Sequence, residues 1–137
     1  MAGKILLEVV TPEKQLLSQE VDEVIAPGSE GEFGVLPGHC HFLSTLRIGE
    51  LRYRVGDRTN HMAILWGYAE VTPHKVTVMA EIAEKAEDID VERAQAAVAK
   101  AEQRLKAGGL PSEVKEAEIS LEKAHLRMKL AQRARKS

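Results

Sequence analysis

The sequence predicts a β + α protein: an N-terminal antiparallel β-sandwich or flattened barrel over residues 1–86, then a C-terminal antiparallel two-helix hairpin over residues 87–137. Two changes at one point in the chain predict this division. Up to about Ala80 the apolar residues come in short runs with a period near two, broken at short intervals by Gly, Pro, Asn or Asp, as strands and turns require. From Glu81 the composition turns to Ala, Glu, Lys and Arg, aromatic residues cease, and the apolar spacing becomes three and four.

Nine strands are expected, over 4–11, 15–18, 21–26, 32–36, 42–46, 50–55, 61–66, 68–71 and 75–80. The clearest is Leu51-Arg52-Tyr53-Arg54-Val55, in which Leu, Tyr and Val face one side and the arginines the other. Gly56-Asp57 and Thr72-Pro73-His74 read as hairpin turns. So many short strands with no helix between them imply stacked antiparallel sheets.

In the second half, Val91, Ala94, Val98, Ala101 and Leu105 fall on one helical seam, with Asp88 or Asp90 as cap. Gly108-Gly109 ends this helix and Pro111-Ser112 starts the next, where Val114, Ala117, Leu121, Ala124, Met128 and Ala131 repeat the spacing. A connection this short makes the helices antiparallel neighbours. Five of these eleven seam residues are alanine, which removes little apolar surface from water at about 25 cal/mol per Å². The hairpin is therefore expected to be marginal and able to change partners, and the row Ile119, Leu126 and Leu130 needs a further surface to cover it.

Nineteen Lys and Arg against twenty-one Asp and Glu leave a net charge of −2, which argues against a nucleic-acid partner. The longest apolar runs, 5–7 and 63–66, fall far short of the roughly 20 residues that cross a bilayer. The N-terminus lacks the pattern of a secretory signal, and the single Cys40 suits a reducing compartment, so a cytoplasmic location is expected.

Patterns that carry chemistry are weak. Gly28, Gly31, Gly34 and Gly38 match neither a P-loop nor a dinucleotide fingerprint and read as turn glycines. His39-Cys40-His41 lacks the second Cys/His cluster of a tetrahedral metal site. Ser29, Ser44, Cys40 and the histidines show no nucleophile elbow or triad signature, and the acid pairs Glu30/Glu32 and Asp88/Asp90 read as solvated turns and helix starts. A non-enzymatic protein with no metal and no required cofactor is expected, binding other proteins.

The stretch Ala26-Pro27-Gly28-Ser29-Glu30-Gly31-Glu32-Phe33-Gly34-Val35-Leu36-Pro37-Gly38-His39 resembles the signature of bacterial F-type ATP synthase epsilon subunits. Leu65-Trp66-Gly67-Tyr68-Ala69-Glu70-Val71 and Ile89-Asp90-Val91-Glu92-Arg93-Ala94 are similar to two further family segments, although His41 and Trp66 depart from the usual proline and small residue. The resemblance implies a non-catalytic rotor subunit of a proton-driven synthase, peripheral on the cytoplasmic face of the plasma membrane and attached only through the complex. Its β domain would bind the gamma subunit and rest on the c-ring loops through Ser29, Glu30, Gly31, Glu32 and Phe33, with His39 nearby. Its hairpin, when extended, would thrust Arg127, Lys129, Arg133, Arg135 and Lys136 toward the alpha and beta subunits and inhibit hydrolysis. The family pattern Ile/Leu-Asp-x-x-Arg-Ala further implies a weak regulatory ATP site from Ile89, Asp90, Arg93 and Arg127, with Glu84 near the base; a helix cap is the simpler reading of Asp90. A free-standing adaptor or a small-ligand-binding barrel is the alternative.

Overall fold

The computed structural model describes residues 3–39 and 41–136, with the backbone alone at 135 and 136. The chain divides into two compact units, Met1–Lys85 and Ala86–Ser137. In the first unit the strands are β1 (Ile5–Val10), β2 (Gln15–Val21), β3 (Glu23–Gly28), β4 (Gly31–Val35), β5 (Phe42–Leu46), β6 (Gly49–Val55), β7 (Arg58–Val71) and β8 (Lys75–Lys85). Eight strands thus replace the nine expected, because 61–66 and 68–71 are one strand of 14 residues.

The layers follow from how β7 divides its pairing. Its first half lies against β6, from Val55↔Arg58 to Gly49↔Ile64, and its second half against β5, from Leu46↔Gly67 to Phe42↔Val71. β8 follows it antiparallel along nearly its whole length, so the two long strands belong to both layers. One layer continues through β1 to β2, and the other through β3 to β4. Inward-facing Ile5, Leu7, Val24, Leu51, Ile64 and Val78 fill the space between the layers with no exposure. The expectation of purely antiparallel sheets needs one correction: β1 and β8 run parallel, from Leu6↔Lys75 to Val10↔Met79. A parallel pair needs a long connection, and the rest of the domain lies between these two strands.

At Trp66-Gly67 the alternation of β7 resets. Met62 and Ile64 face the core before it, Ala69 and Val71 after it, so the inward positions change from even to odd. Trp66 takes φ 59°, the left-handed region that costs a bulky side chain about 1–3 kcal/mol. Gly67 has φ 151°, and a Cβ there would lie 2.1 Å from the Met79 carbonyl oxygen. β8 changes parity at the same level, from Val76, Val78 and Ala80 to Ala83, and therefore continues to Lys85 where alternation alone suggested an end at Ala80.

Asp22, between β2 and β3, ties three segments together. Its carboxylate accepts from Gly56 N–H at 2.7 Å and from Lys4 Nζ at 2.9 Å, while its own N–H donates to the Arg54 carbonyl at 2.8 Å. The β6–β7 turn is thereby fixed to the β2–β3 corner. The Gly56 N–H above all, and then Lys4, hold the Asp22 carboxyl below its ordinary value of 3.8.

The second unit opens with a 3-10 turn, Ala86–Asp88, followed by α1 (Val91–Ala107) and α2 (Pro111–Lys136). Asp90 is the cap of α1, its Oδ1 accepting from Arg93 N–H at 3.1 Å, and Gly108 at φ 70° ends the helix. The helices pack along each other on small residues, with Ala94, Ala101, Ala117 and Ala124 buried. Val98, Leu105, Val114 and Leu121 are half-buried around them. Of the second row, Ile119 and Leu126 are half-buried and Leu130 has no exposure.

Gly67→Ala is expected to destabilise the first unit by at least about 3 kcal/mol, since it adds left-handed strain to a clash with backbone. A urea midpoint within experimental error of the parent would refute the parity constraint. Asp22→Asn tests the corner. A carboxyl whose folded value lies below its unfolded value stabilises the fold above the unfolded value and loses that contribution as pH falls through the folded one. The variant should therefore be less stable near neutrality, and the difference should close as the pH is taken well below 3.8; a difference independent of pH would assign the loss to something other than the carboxylate.

Candidate protein-docking site

Turn chemistry builds one end of the sandwich. β3 and β4 are joined by the two-residue turn Ser29-Glu30, closed by Gly28 opposite Gly31. Gly28 is required by close approach, because a Cβ there would come within 2.7 Å of the Gly31 carbonyl oxygen and 3.0 Å of the Phe33 ring. Ser29 is tied to β5, donating N–H to the Thr45 carbonyl at 2.9 Å and accepting at Oγ from Thr45 Oγ1 at 2.8 Å. Leu36-Pro37-Gly38-His39 makes a second turn, with proline in its second place and Gly38 at φ 86° in its third; His39 N–H donates back to the Leu36 carbonyl at 3.2 Å. Gly38 N–H donates to the Pro73 carbonyl at 2.9 Å, fixing this turn to the β7–β8 turn.

The six residues expected at the ring contact are brought together at this end. Ser29, Glu30, Gly31 and Glu32 are exposed, and Phe33 and His39 are half-buried. Phe42, which sequence reasoning did not nominate, joins them: its ring lies edge-on to Phe33 at 5.1 Å and to His39 at 6.4 Å. Phe33 and Phe42 are the only two phenylalanines of the chain, and that scarcity was the available signal. His41 lies in the connection before β5 rather than on a strand, and Cys40 of the His39-Cys40-His41 group lies outside the described residues. Among the described residues no three His, Cys, Asp or Glu side chains are grouped to hold a metal.

Behind the turn lies a charged chain with side chains from β4, β6 and β7. Arg52 Nη1 donates to Glu32 Oε2 at 3.1 Å and to Glu50 Oε1 at 3.0 Å, and its Nη2 donates to Glu32 Oε1 at 3.3 Å. Glu50 is 6% exposed, and its Oε2 lies 2.8 Å from His61 Nδ1. Hydrogen bonding to Glu50 and then Glu32 raises the Arg52 guanidinium above its already high ordinary value, so it stays charged.

A second surface is apolar and escaped the sequence reading. The pairings Val10↔Met79, Tyr68↔Met79 and Thr45↔Tyr68 align Val10, Met79 and Tyr68 in one row across the outward face of β1, β8 and β7. Tyr68 is 49% exposed, and Leu43, on β5 beside it, 69%. Val10, Pro12, Tyr68 and Met79 line a shallow hollow of about 480 Å³ on this face. Exposed aromatic and long aliphatic side chains grouped on a rigid sheet mark a protein-binding surface.

In the second unit, Ile89, Asp90 and Arg93 stand together at the start of α1, Asp90 serving as cap. Glu84 lies on β8, in the first unit. Arg127 is half-buried on α2 and Lys129 and Arg133 are exposed. The side chains of Arg135 and Lys136 lie outside the described residues. Among the described residues no helix is long and apolar enough to cross a membrane.

A sheet face and an ordered turn offered on a rigid sandwich, joined to a helical hairpin, define a protein-docking module. Residues 4–86 match the β-sandwich domain, and residues 87–132 the long α-helix domain, of the ATP synthase delta/epsilon chain. The chain is 53% identical over 133 residues to the ATP synthase epsilon chain of Syntrophobacter fumaroxidans, covering 97% of this chain and 99% of that one. It is 53% identical over 137 residues to that of Citrifermentans bemidjiense, covering 98% of each. A chain in the Euglena gracilis mitochondrial ATP synthase shares the fold at TM-score 0.80 and 24% identity, covering 98% of this chain and 82% of its own length. A chain in the central stalk and c-ring structure of the Tetrahymena thermophila mitochondrial enzyme gives TM-score 0.66 and 12% identity, covering 95% and 98%. This chain belongs to the ATP synthase epsilon chain family.

Proposed function

We propose that the chain is a non-catalytic central-stalk subunit of a bacterial, proton-driven ATP synthase, coupling ring rotation to a catalytic head whose active sites lie in other subunits. The observation that carries this reading is identity of about half, over nearly the full length of both chains, with proteins named ATP synthase epsilon chain. The β unit docks gamma through the face of Val10, Leu43, Tyr68 and Met79. Its opposite requirement, a contact to the polar loops of the c-ring, falls to the end formed by Ser29, Glu30, Gly31, Glu32 and Phe33 with His39. The subunit sits at the cytoplasmic face of the plasma membrane, held there by these partners.

The hairpin regulates hydrolysis. Five of its eleven seam residues are alanine, so little apolar area holds the two helices together, and α2 carries Arg127, Lys129, Arg133, Arg135 and Lys136 with no acid after Glu122. Extended toward acidic segments of the beta subunits, this basic end opposes rotation in the hydrolysis direction. Lys and Arg also suit the negative end of a helix dipole, which accounts for their placement when the hairpin is folded.

Two measurements test the reading. Tyr68→Glu with Met79→Glu should weaken capture of gamma by the full chain by roughly 30-fold or more, as removal of a central apolar anchor does. Unaltered capture would move the gamma contact elsewhere, and absence of gamma and the catalytic subunits from a co-purification would favour a free-standing adaptor. Arg127→Ala with Arg133→Ala and Arg135→Ala should raise ATPase activity of the assembled enzyme, more at low salt than at high salt because such charges are screened. Unchanged activity on deleting the whole of α2 would discard inhibition by the hairpin.

A further inference from the structure

The acid at the ring-facing end is not a loose surface carboxylate. Glu32 lies on β4 opposite Pro27 of β3, and the guanidinium that holds both of its oxygens comes from β6, one strand further in. A two-oxygen grip by Arg fixes direction as well as distance. The same guanidinium reaches Glu50, whose side chain is 5% exposed, and Glu50 in turn holds His61 on β7. Glu30, two residues away on the turn, makes no ion pair among the described residues.

Stability alone does not explain the arrangement. The Arg52–Glu32 bridge is substantially exposed on the Glu32 side, and exposed pairs of that kind add little to folding. What the bridge does is remove the rotational freedom of a carboxylate that would otherwise have to be ordered when a partner arrives. Burial of Glu50 gives Arg52 a fixed footing, because swinging the guanidinium away would strip a cation from a desolvated acid.

We infer that Arg52 is a positioning residue for the ring contact: anchored on buried Glu50, it aims the Glu32 carboxylate at the polar loop of the partner, with exposed Glu30 beside it. The inference rests on the reading of this end of the sandwich as the surface that meets the ring. Glu32 touches the partner; Arg52 acts through Glu32, and Glu50 through Arg52. Arg52→Lys keeps the charge but loses the two-oxygen grip, so it falls between parent and Arg52→Gln.

The test uses the catalytic head reconstituted with full-length variants and rebound to membranes that hold the ring, reading apparent affinity and ATP-driven proton pumping per ATP hydrolysed. Arg52→Gln and Glu32→Gln should each weaken rebinding by about 2- to 10-fold, the range expected when one ordered side chain is set free, and the double variant should be no worse than either alone. Glu50→Gln should give a smaller loss of the same kind, and Arg52→Lys an intermediate one. Capture of gamma, measured alongside, should not change in any of them. Additive losses in the double variant, or a loss in Arg52→Gln matched by unaltered rebinding in Glu32→Gln, would overturn the positioning role. A fall in thermal midpoint with normal rebinding and pumping would reduce Arg52 to a structural bridge and also overturn it. Phe42→Asp separates the two levels: normal rebinding in that variant removes the ring contact from this end altogether, whereas impaired rebinding with silent Arg52 and Glu32 variants removes only the positioning.

Discussion

The strand shared by both layers of this sandwich changes, at one point, which of its alternate side chains face inward, and the rest of the domain depends on where that change occurs. In β7 it occurs at Trp66-Gly67, with β6 as neighbour before the point and β5 after it. The required backbone is left-handed at Trp66 and passes so close to Met79 that position 67 has no room for a side chain. Because β8 is paired with β7 through the break, it must shift its own parity at the same level. The two layers, the core between them and the outward row of Tyr68, Met79 and Val10 all inherit their placement from that one step.

The same economy of local geometry explains the two surfaces. The long glycine-rich stretch that resembles the family signature is two turns on either side of β4, with Gly31 and Gly38 set by a positive φ and Gly28 by close approach, so the motif describes a shape rather than a reactive group. Proline and glycine at 37 and 38 place His39 beside Phe42, and Gly28 allows Ser29-Glu30 to turn tightly enough to lie against β5. The turn that offers Glu30 and Glu32 outward is thus held by backbone bonds on one side and by the Arg52 bridge on the other.

Much of this was legible along the chain. Strand periodicity marked the core positions of β6, where Leu51 and Tyr53 are buried as the alternation requires, and the change of period marked the hairpin, its Asp90 cap and its glycine stop. The break at Gly67 was visible as an interruption but was read as the gap between two strands. Alternation cannot distinguish a strand that ends from a strand that changes layer, since both interrupt the pattern. Arg52 was legible as an outward-facing arginine, but its partners were not, because Glu32 lies 20 residues earlier and reaches it only through the pairing of β3 with β6.

By itself the sequence determined the order of a β unit and a helical hairpin, the turns, the cap and the family, because each is written in residues near one another: period, proline, glycine and a contiguous motif. Tertiary structure alone decided the parallel pairing of β1 with β8, the run of β8 to Lys85, the apolar row across three strands and the bridge from Glu32 to Glu50. These depend on which strands become neighbours and in what register. A period-2 pattern states which way a side chain points and leaves open what it meets there, and that is fixed only when strands distant in the chain share one core.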